Sequence, residues 1–415
     1  MKKLFHNPEQ IVTVNSKGKN FKRGKEAEEV EVLKNYSIAC EDGKITEILP
    51  NDKINKNHFD EIIDLSGKTV LPGLIDSHTH LVFAGSRADE FRRRLRGVSY
   101  EQIASEGGGI LRTVNSVRNS SVEDLIEIAN PKVQAFIEQG VTTLEIKSGY
   151  GLSFSDELKS LKTINLLNEN FPIDIIPTFL GAHTFPPEYK NEHEKYIELI
   201  TEEMLPYIAE NHLAKFTDAF CEVTAFNAKQ VEKIFIKAKE LGFGLKLHTE
   251  QFNRIGGLDV ALEMKAQSVD HLEVLDENEI DKIAQTETVA TLLPGVSFFL
   301  DYDYAPALKL KEKGAIVSLA TDYNPGSSHI LNLHLIMSIA ALKMKMTMEE
   351  IISAVTINAA KALSMEKETG SLEIGKKCDL SVFSANEFSE IIYSVGRNLT
   401  FMTVKEGKII FENKN

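Results

Sequence analysis

Four short segments carry side chains able to bind a metal ion or move a proton, and each stands at the end of a short β-like run. His78 and His80 follow the apolar run Val70-Leu71-Pro72-Gly73-Leu74-Ile75 in Asp76-Ser77-His78-Thr79-His80-Leu81. On an extended chain residues i and i+2 point to the same side, so both imidazoles can reach one cation. His248 ends Lys246-Leu247-His248, His271 ends Asp270-His271, and Asp322 ends Ala320-Thr321-Asp322. Taken singly, each has a plainer reading: a surface His-x-His, a hydrogen-bonded core histidine, a helix-capping aspartate. These plainer readings would have to coincide at four places, so one shared site is the stronger inference. Three imidazoles and a carboxylate suit Zn(II) or Fe(II), and they leave a coordination position for water.

Such groups need a scaffold that brings distant strand ends to one rim. From about 66 to 365, short β-like runs alternate with helical stretches, the signature of parallel βα units. The spacing predicts strands at Leu71–Ser77, Val141–Ile146, Ile173–Thr178, Phe216–Cys221, Gly244–Leu247, Ser268–Asp270, Val289–Leu293 and Ile316–Ala320. That is an α/β fold, a (β/α)8 TIM barrel, whose catalytic groups belong at the C-terminal ends of the strands. Ser155 is expected to cap the helix carrying Leu158, Leu161 and Ile164, and Asn130-Pro131 to begin another. Residues 1–65 and 366–415 read as β instead. Val30 to Leu49 alternates around Glu41-Asp42-Gly43-Lys44, and Asp379–Phe383 and Phe401 to Phe411 do the same, with Glu406-Gly407-Lys408 as a turn. Neither end can bury a sheet face alone, so the two are expected to form one small β-sandwich with the barrel inserted between them.

Composition narrows the function classes. The 415 residues are 42% hydrophobic and 26% charged, ordinary for a globular chain with a large core. No apolar run approaches the roughly 20 residues that span a bilayer, and no apolar stretch follows the basic Met1-Lys2-Lys3, so neither a membrane partner nor a signal peptide is expected. Three scattered cysteines (Cys40, Cys221, Cys378) point to a reducing cytoplasm rather than a disulfide framework. A net charge of −14 argues against a nucleic-acid partner. The one basic cluster, Arg92-Arg93-Arg94 with Arg96, reads as a solvated or inter-subunit face. A single local arginine can still hold a small anion inside an acidic protein.

The order and content of the strand ends resemble the amidohydrolase superfamily over nearly the whole chain. Two-metal members of that superfamily carry a modified lysine at the end of strand four. Here Phe220-Cys221-Glu222 stands there, and Lys215 lies at the strand's beginning. The resemblance therefore implies one metal ion per chain, Zn(II) or Fe(II)/Fe(III), held by His78, His80, His248 and Asp322, with His271 contacting the water or a substrate carbonyl. Four ungapped motifs narrow the family: Ser105-Glu106-Gly107-Gly108-Gly109-Ile110 with Thr113-Val114, Glu145-Ile146-Lys147-Ser148-Gly149-Tyr150-Gly151-Leu152, Phe179-Leu180-Gly181-Ala182-His183, and Asp322-Tyr323-Asn324-Pro325-Gly326-Ser327. They resemble those of the imidazolonepropionases of histidine breakdown. By that resemblance Arg87, Tyr150, His183, Gln251, Asn324, Gly326 and Ser327 bind a small-molecule substrate, and the chain forms a homodimer.

The substrate so implied is a five-membered cyclic amide with a propionate tail, 4-imidazolone-5-propanoate. A loop could bring Arg87 over the pocket to fork onto the tail's carboxylate, against the plainer reading of a surface salt bridge. Tyr150 sits in a flexible glycine loop after strand two, where plain packing is the alternative, and His183 in the loop after strand three. Gln251 departs from those members that carry Glu there: an amide can hydrogen-bond the ring but cannot accept a proton. Base work then falls to Asp322 or His271, with Glu250 a lesser candidate. The expected reaction is metal-assisted addition of water to the ring carbonyl and ring opening to N-formimidoyl-L-glutamate. The rivals are an aminohydrolase of the same superfamily, which would release ammonia, and a non-catalytic barrel scaffold.

Overall fold

Eight strands run parallel in one sheet: Leu74–Asp76, Val141–Lys147, Asp174–Ala182, Phe216–Cys221, Gly244–Thr249, Ser268–His271, Val289–Leu292 and Ile316–Leu319. The structure is a computed structural model and describes residues 1–98, 102–103 and 106–414; Ser105 of the glycine-rich motif lies outside the described residues. Each strand pairs with the next in chain order. The first and eighth meet where the Asp322 N–H donates to His78 O and the His80 N–H to Tyr323 O, both at 3.0 Å. The seam of the barrel therefore runs between the segments that carry His78, His80 and Asp322.

Alternation along the strands decides what faces where. Leu144, Ile146, Ala219, Leu245, Leu247, Val269, Ala290 and Leu319 join Leu125, Val133, Leu161, Ile164, Val231 and Ile280 of the surrounding helices in one apolar cluster. The alternate residues, Glu145, Lys147, Asp218, Lys246, His248, Ser268, Asp270, Thr291 and Ser318, are also buried, but they face the barrel axis side by side. Toward the C-terminal ends of the strands the inside of this barrel is a polar core, while Phe216, Val289 and Ile316 close the other end on Ala359, Ala360 and Ala362.

Two further sheets flank it. One orders Lys44–Pro50, Tyr36–Glu41, Lys2–His6 and Glu61–Asp64; the other orders Lys408–Glu412, Thr400–Lys405, Leu380–Phe383, Thr69–Pro72, Gln10–Val12 and Val32–Leu33. Phe5, Ile38 and Ile45 of the first pack on Val70, Leu380, Val382, Met402 and Val404 of the second, so N- and C-terminal segments share one core. The hairpin turns fall at Asp42-Gly43 and Glu406-Gly407, as read from sequence. All three cysteines are buried free thiols. Among the described residues no helix is long and apolar enough to cross a membrane.

Three local expectations are corrected. The run Leu71–Ser77 is not one strand: Thr69–Pro72 pairs with Leu380–Phe383 in the small sheet, and Leu74–Asp76 begins the barrel. The break is at Gly73, where a Cβ would overlap the Thr142 side chain of the second barrel strand. Ser155 is not a cap; Ser153 accepts from the Asp156 N–H and opens Phe154–Asn170. Pro131 lies inside Val122–Ile137, which begins at a Ser121/Asp124 capping box. Its buried face of Leu125, Ala129, Val133, Phe136 and Ile137 outweighs the roughly 3 kcal/mol that an interior proline costs.

Candidate metal centre

His78 Nε2 and His248 Nε2 each stand 3.3 Å from His80 Nε2. Asp322 Oδ1 is 3.3 Å from the Nε2 of both His78 and His80 and accepts no hydrogen bond. All four side chains are buried. Their far sides explain the convergence. His78 Nδ1 donates to Asp270 Oδ2 at 2.7 Å, and His248 Nδ1 faces Asp218 at 3.2 Å from Oδ1 and 3.1 Å from Oδ2. A carboxylate only accepts, so both Nδ1 atoms carry the proton and both Nε2 atoms present lone pairs. Burial also lowers the proton affinity of His80 and His248, whereas at His78 the bonds to Asp270 and Asp322 outweigh burial and raise it. Two imidazole lone pairs, the Nε2 of a third imidazole and a carboxylate oxygen thus converge, a donor set that fits a cation.

Beneath the histidines lies a group of charges, all inaccessible to solvent. Lys147 Nζ is 2.8 Å from Asp218 Oδ2, 3.0 Å from Glu145 Oε2 and 3.6 Å from Asp270 Oδ2. Lys246 Nζ is 2.8 Å from Glu145 Oε2 and donates to Ser77 O at 3.0 Å. Against the upward push of burial, His248 and Lys147 hold the Asp218 carboxyl well below the usual range, as Lys246 and His78 do for Asp270. None of these roles was assigned from sequence. The available signal was charge on alternate residues of otherwise apolar strands, Glu145-Ile146-Lys147 and Lys246-Leu247-His248.

At the sixth strand's end His271 and Leu272 have φ of 86° and 73°, a left-handed turn that non-glycine residues rarely adopt. It leaves the His271 ring 5.5 Å from that of His248 and 6.1 Å from that of His78, between centroids. Gln251 donates to the Tyr302 hydroxyl at 3.0 Å. Glu250 is turned away at φ 51° and bonds Thr249 Oγ1 and the Leu258 N–H, so strand alternation does not carry it with His248. Glu222, just past the end of the fourth strand, accepts from the Phe252 N–H at 3.0 Å and the Asn253 N–H at 3.1 Å, fixing the loop that holds Gln251. Lys215 is bound to Leu363 O at the opposite end of its strand.

The remaining candidates line the same mouth. His183 stacks on His80 at 5.3 Å, and Tyr150 lies 5.9 Å from His80 and 5.4 Å from His183. Burial pushes His183 down to about 3, and its Nδ1 bonds Gly149 O at 2.9 Å. The loop carrying Tyr150 is not flexible: buried Glu157 accepts from the N–H groups of Gly149, Gly151 and Leu152 at 3.0, 2.8 and 2.9 Å. Asn324 donates to Asp322 Oδ2 at 3.0 Å and accepts from the Gly326 and Ser327 N–H groups at 2.8 and 2.7 Å. Arg87 reaches this turn, with its guanidinium against Gly326 and its Nε donating to Glu90 at 2.7 Å. The Arg87 side chain is only 9% exposed, so the pair is not a surface salt bridge.

Residues 69–410 match the Amidohydrolase family. Imidazolonepropionase of Alkaliphilus oremlandii is 44% identical over 412 residues, covering 98% of this chain and 97% of that protein. That of Clostridium tetani is 41% identical over 413 residues, covering 99% and 98%. Among solved structures, atrazine chlorohydrolase from Arthrobacter aurescens complexed with zinc matches with a TM-score of 0.75 at 15% identity, over 99% of this chain and 95% of that chain. The last likeness is one of fold.

Proposed function

The chain belongs to the imidazolonepropionases of the amidohydrolase family, and from that membership we propose that its strand-end histidines serve hydrolytic opening of 4-imidazolone-5-propanoate to N-formimidoyl-L-glutamate. His78, His80, His248 and Asp322 would hold one zinc or iron ion per chain. When bound, such an ion supplies Lewis acidity, lowering the pKa of water from about 15.7 toward about 7 and polarising the ring carbonyl. One observation carries this reading: three imidazole Nε2 atoms and a buried carboxylate oxygen converge, and the hydrogen bonds behind two of the rings turn their Nε2 lone pairs into the gap.

Asp322 takes the proton of the attacking water, with Asn324 holding its second oxygen in place. His271 donates to the oxygen that gains negative charge at the carbonyl carbon. The proton on Asp322 passes to the ring nitrogen as the C–N bond breaks. Gln251, oriented by Tyr302, hydrogen-bonds the ring without competing as a base. Arg87 pairs with the propionate, the turn at Asn324, Gly326 and Ser327 closes over it, and Tyr150 and His183 flank the ring. In this reading the enzyme works as a homodimer in a reducing cytoplasm, which suits its three buried thiols.

The test uses freshly prepared imidazolone propionate. Loss of its ultraviolet absorbance, a product heavier by one water and no ammonia support ring opening. Stoichiometric ammonia from an intact ring would make the enzyme an aminohydrolase, and an inert protein that binds no metal would make it a scaffold.

A further inference from the structure

Two carboxylates orient the imidazoles of the metal centre, and one ammonium touches both. Asp270 meets His78 Nδ1 and Asp218 meets His248 Nδ1, from the sixth and fourth strands of the barrel interior. Lys147 Nζ lies 2.8 Å from Asp218 Oδ2 and 3.6 Å from Asp270 Oδ2, whereas Lys246 reaches Asp270 at 4.0 Å and has no ion pair with Asp218. Glu145, 3.0 Å from Lys147 and 2.8 Å from Lys246, joins the two lysines. All five side chains are fully buried. In a medium of low dielectric, two carboxylates turned toward the same centre repel each other unless a cation stands between them.

We propose that Lys147 is a positioning residue of the metal centre, its ammonium fixing Asp218 and Asp270 so that His78 and His248 are held together in one tautomer and one direction. The charge count agrees. Lys147 and Lys246 stand against Glu145, Asp218, Asp270 and Asp322, an excess of two negative charges that one divalent ion neutralises. A chain without the Lys147 ammonium keeps all four ligands but loses the member that aims two of them. Partners behind metal ligands of this kind govern affinity by roughly 10–100-fold.

This proposal rests on the metal centre described above, and the experiment separates the two. Full-length protein, Lys147→Met and Lys147→Arg are loaded with Co(II). The dissociation constant is measured by chelator competition, the visible absorption of the bound ion is recorded, and circular dichroism reports folding. The expected result is a 10–100-fold weaker constant and an altered cobalt spectrum for Lys147→Met, with partial recovery in Lys147→Arg. A folded Lys147→Met with the parent's constant and spectrum overturns the proposal alone. If Lys147→Met does not fold, Lys147→Arg decides: a weaker constant with a changed spectrum supports the proposal, and parental values overturn it. A parent chain that takes up no Co(II) removes the metal centre, and the proposal with it.

Discussion

A Cβ on residue 326 would overlap the Arg87 guanidinium, so the glycine in the Asn324–Ser327 turn is what gives that arginine its place. Gly326→Ala is therefore expected to displace the guanidinium as Arg87→Met removes it. A charge-assisted hydrogen bond contributes roughly 1.5–3 kcal/mol, so kcat/KM should fall at least about tenfold, mostly through KM, with metal content unchanged. Steady-state kinetics with metal analysis measures this, and a parental kcat/KM in Arg87→Met would show that the arginine clamps nothing. Single residues differed in how far the sequence revealed them. His78 and His80 declared themselves by i, i+2 spacing at the end of a buried run. Asp218 did not, because Phe216-Thr217-Asp218-Ala219-Phe220-Cys221 reads as an ordinary strand until one knows that the face bearing Asp218 meets the barrel axis.

Elements set the next level of precision. The turn after strand two is rich in glycine, yet three of its N–H groups end on one buried carboxylate in the first turn of the following helix. Glu157→Gln replaces one accepting oxygen by an amide that cannot accept. The amides of Gly149, Gly151 and Leu152 should then exchange with solvent faster and KM should rise, while the metal stays bound. Unchanged exchange by nuclear magnetic resonance or mass spectrometry would refute the clamp. Glycine content suggested flexibility there, and only the long-range acceptor, invisible in local sequence, reverses it. Elsewhere local signals competed: Asn130-Pro131 looks like a helix start, but the apolar periodicity running through it belongs to one helix. Strand existence was legible for all eight barrel members because each is a short buried run. The division at Gly73 was not, because apolar residues continue on both sides of it.

For the whole molecule, acid sensitivity has a buried source remote from the metal. His334 donates from Nε2 to Gln139 O at 2.9 Å, and its Nδ1 has no partner. Burial pushes its pKa down to about 4 from 6.5. Between those values the unfolded chain binds the proton and the folded chain does not, so stability is lost as pH falls from about 6.5 toward 4, by on the order of 3 kcal/mol. His334→Gln should flatten that part of the decline, measured as Tm against pH; an unchanged slope would place the sensitivity elsewhere. The break at Gly73 also bears on synthesis. On the ribosome, Thr69–Pro72 emerges long before Leu380–Phe383, the strand that pairs with it, and the segment bearing His78 and His80 follows directly behind. A nascent chain must hold that edge open while every remaining barrel strand is made. The late-made strand then acts as a clasp, and a chain released before it would carry the metal ligands on an unfastened first strand.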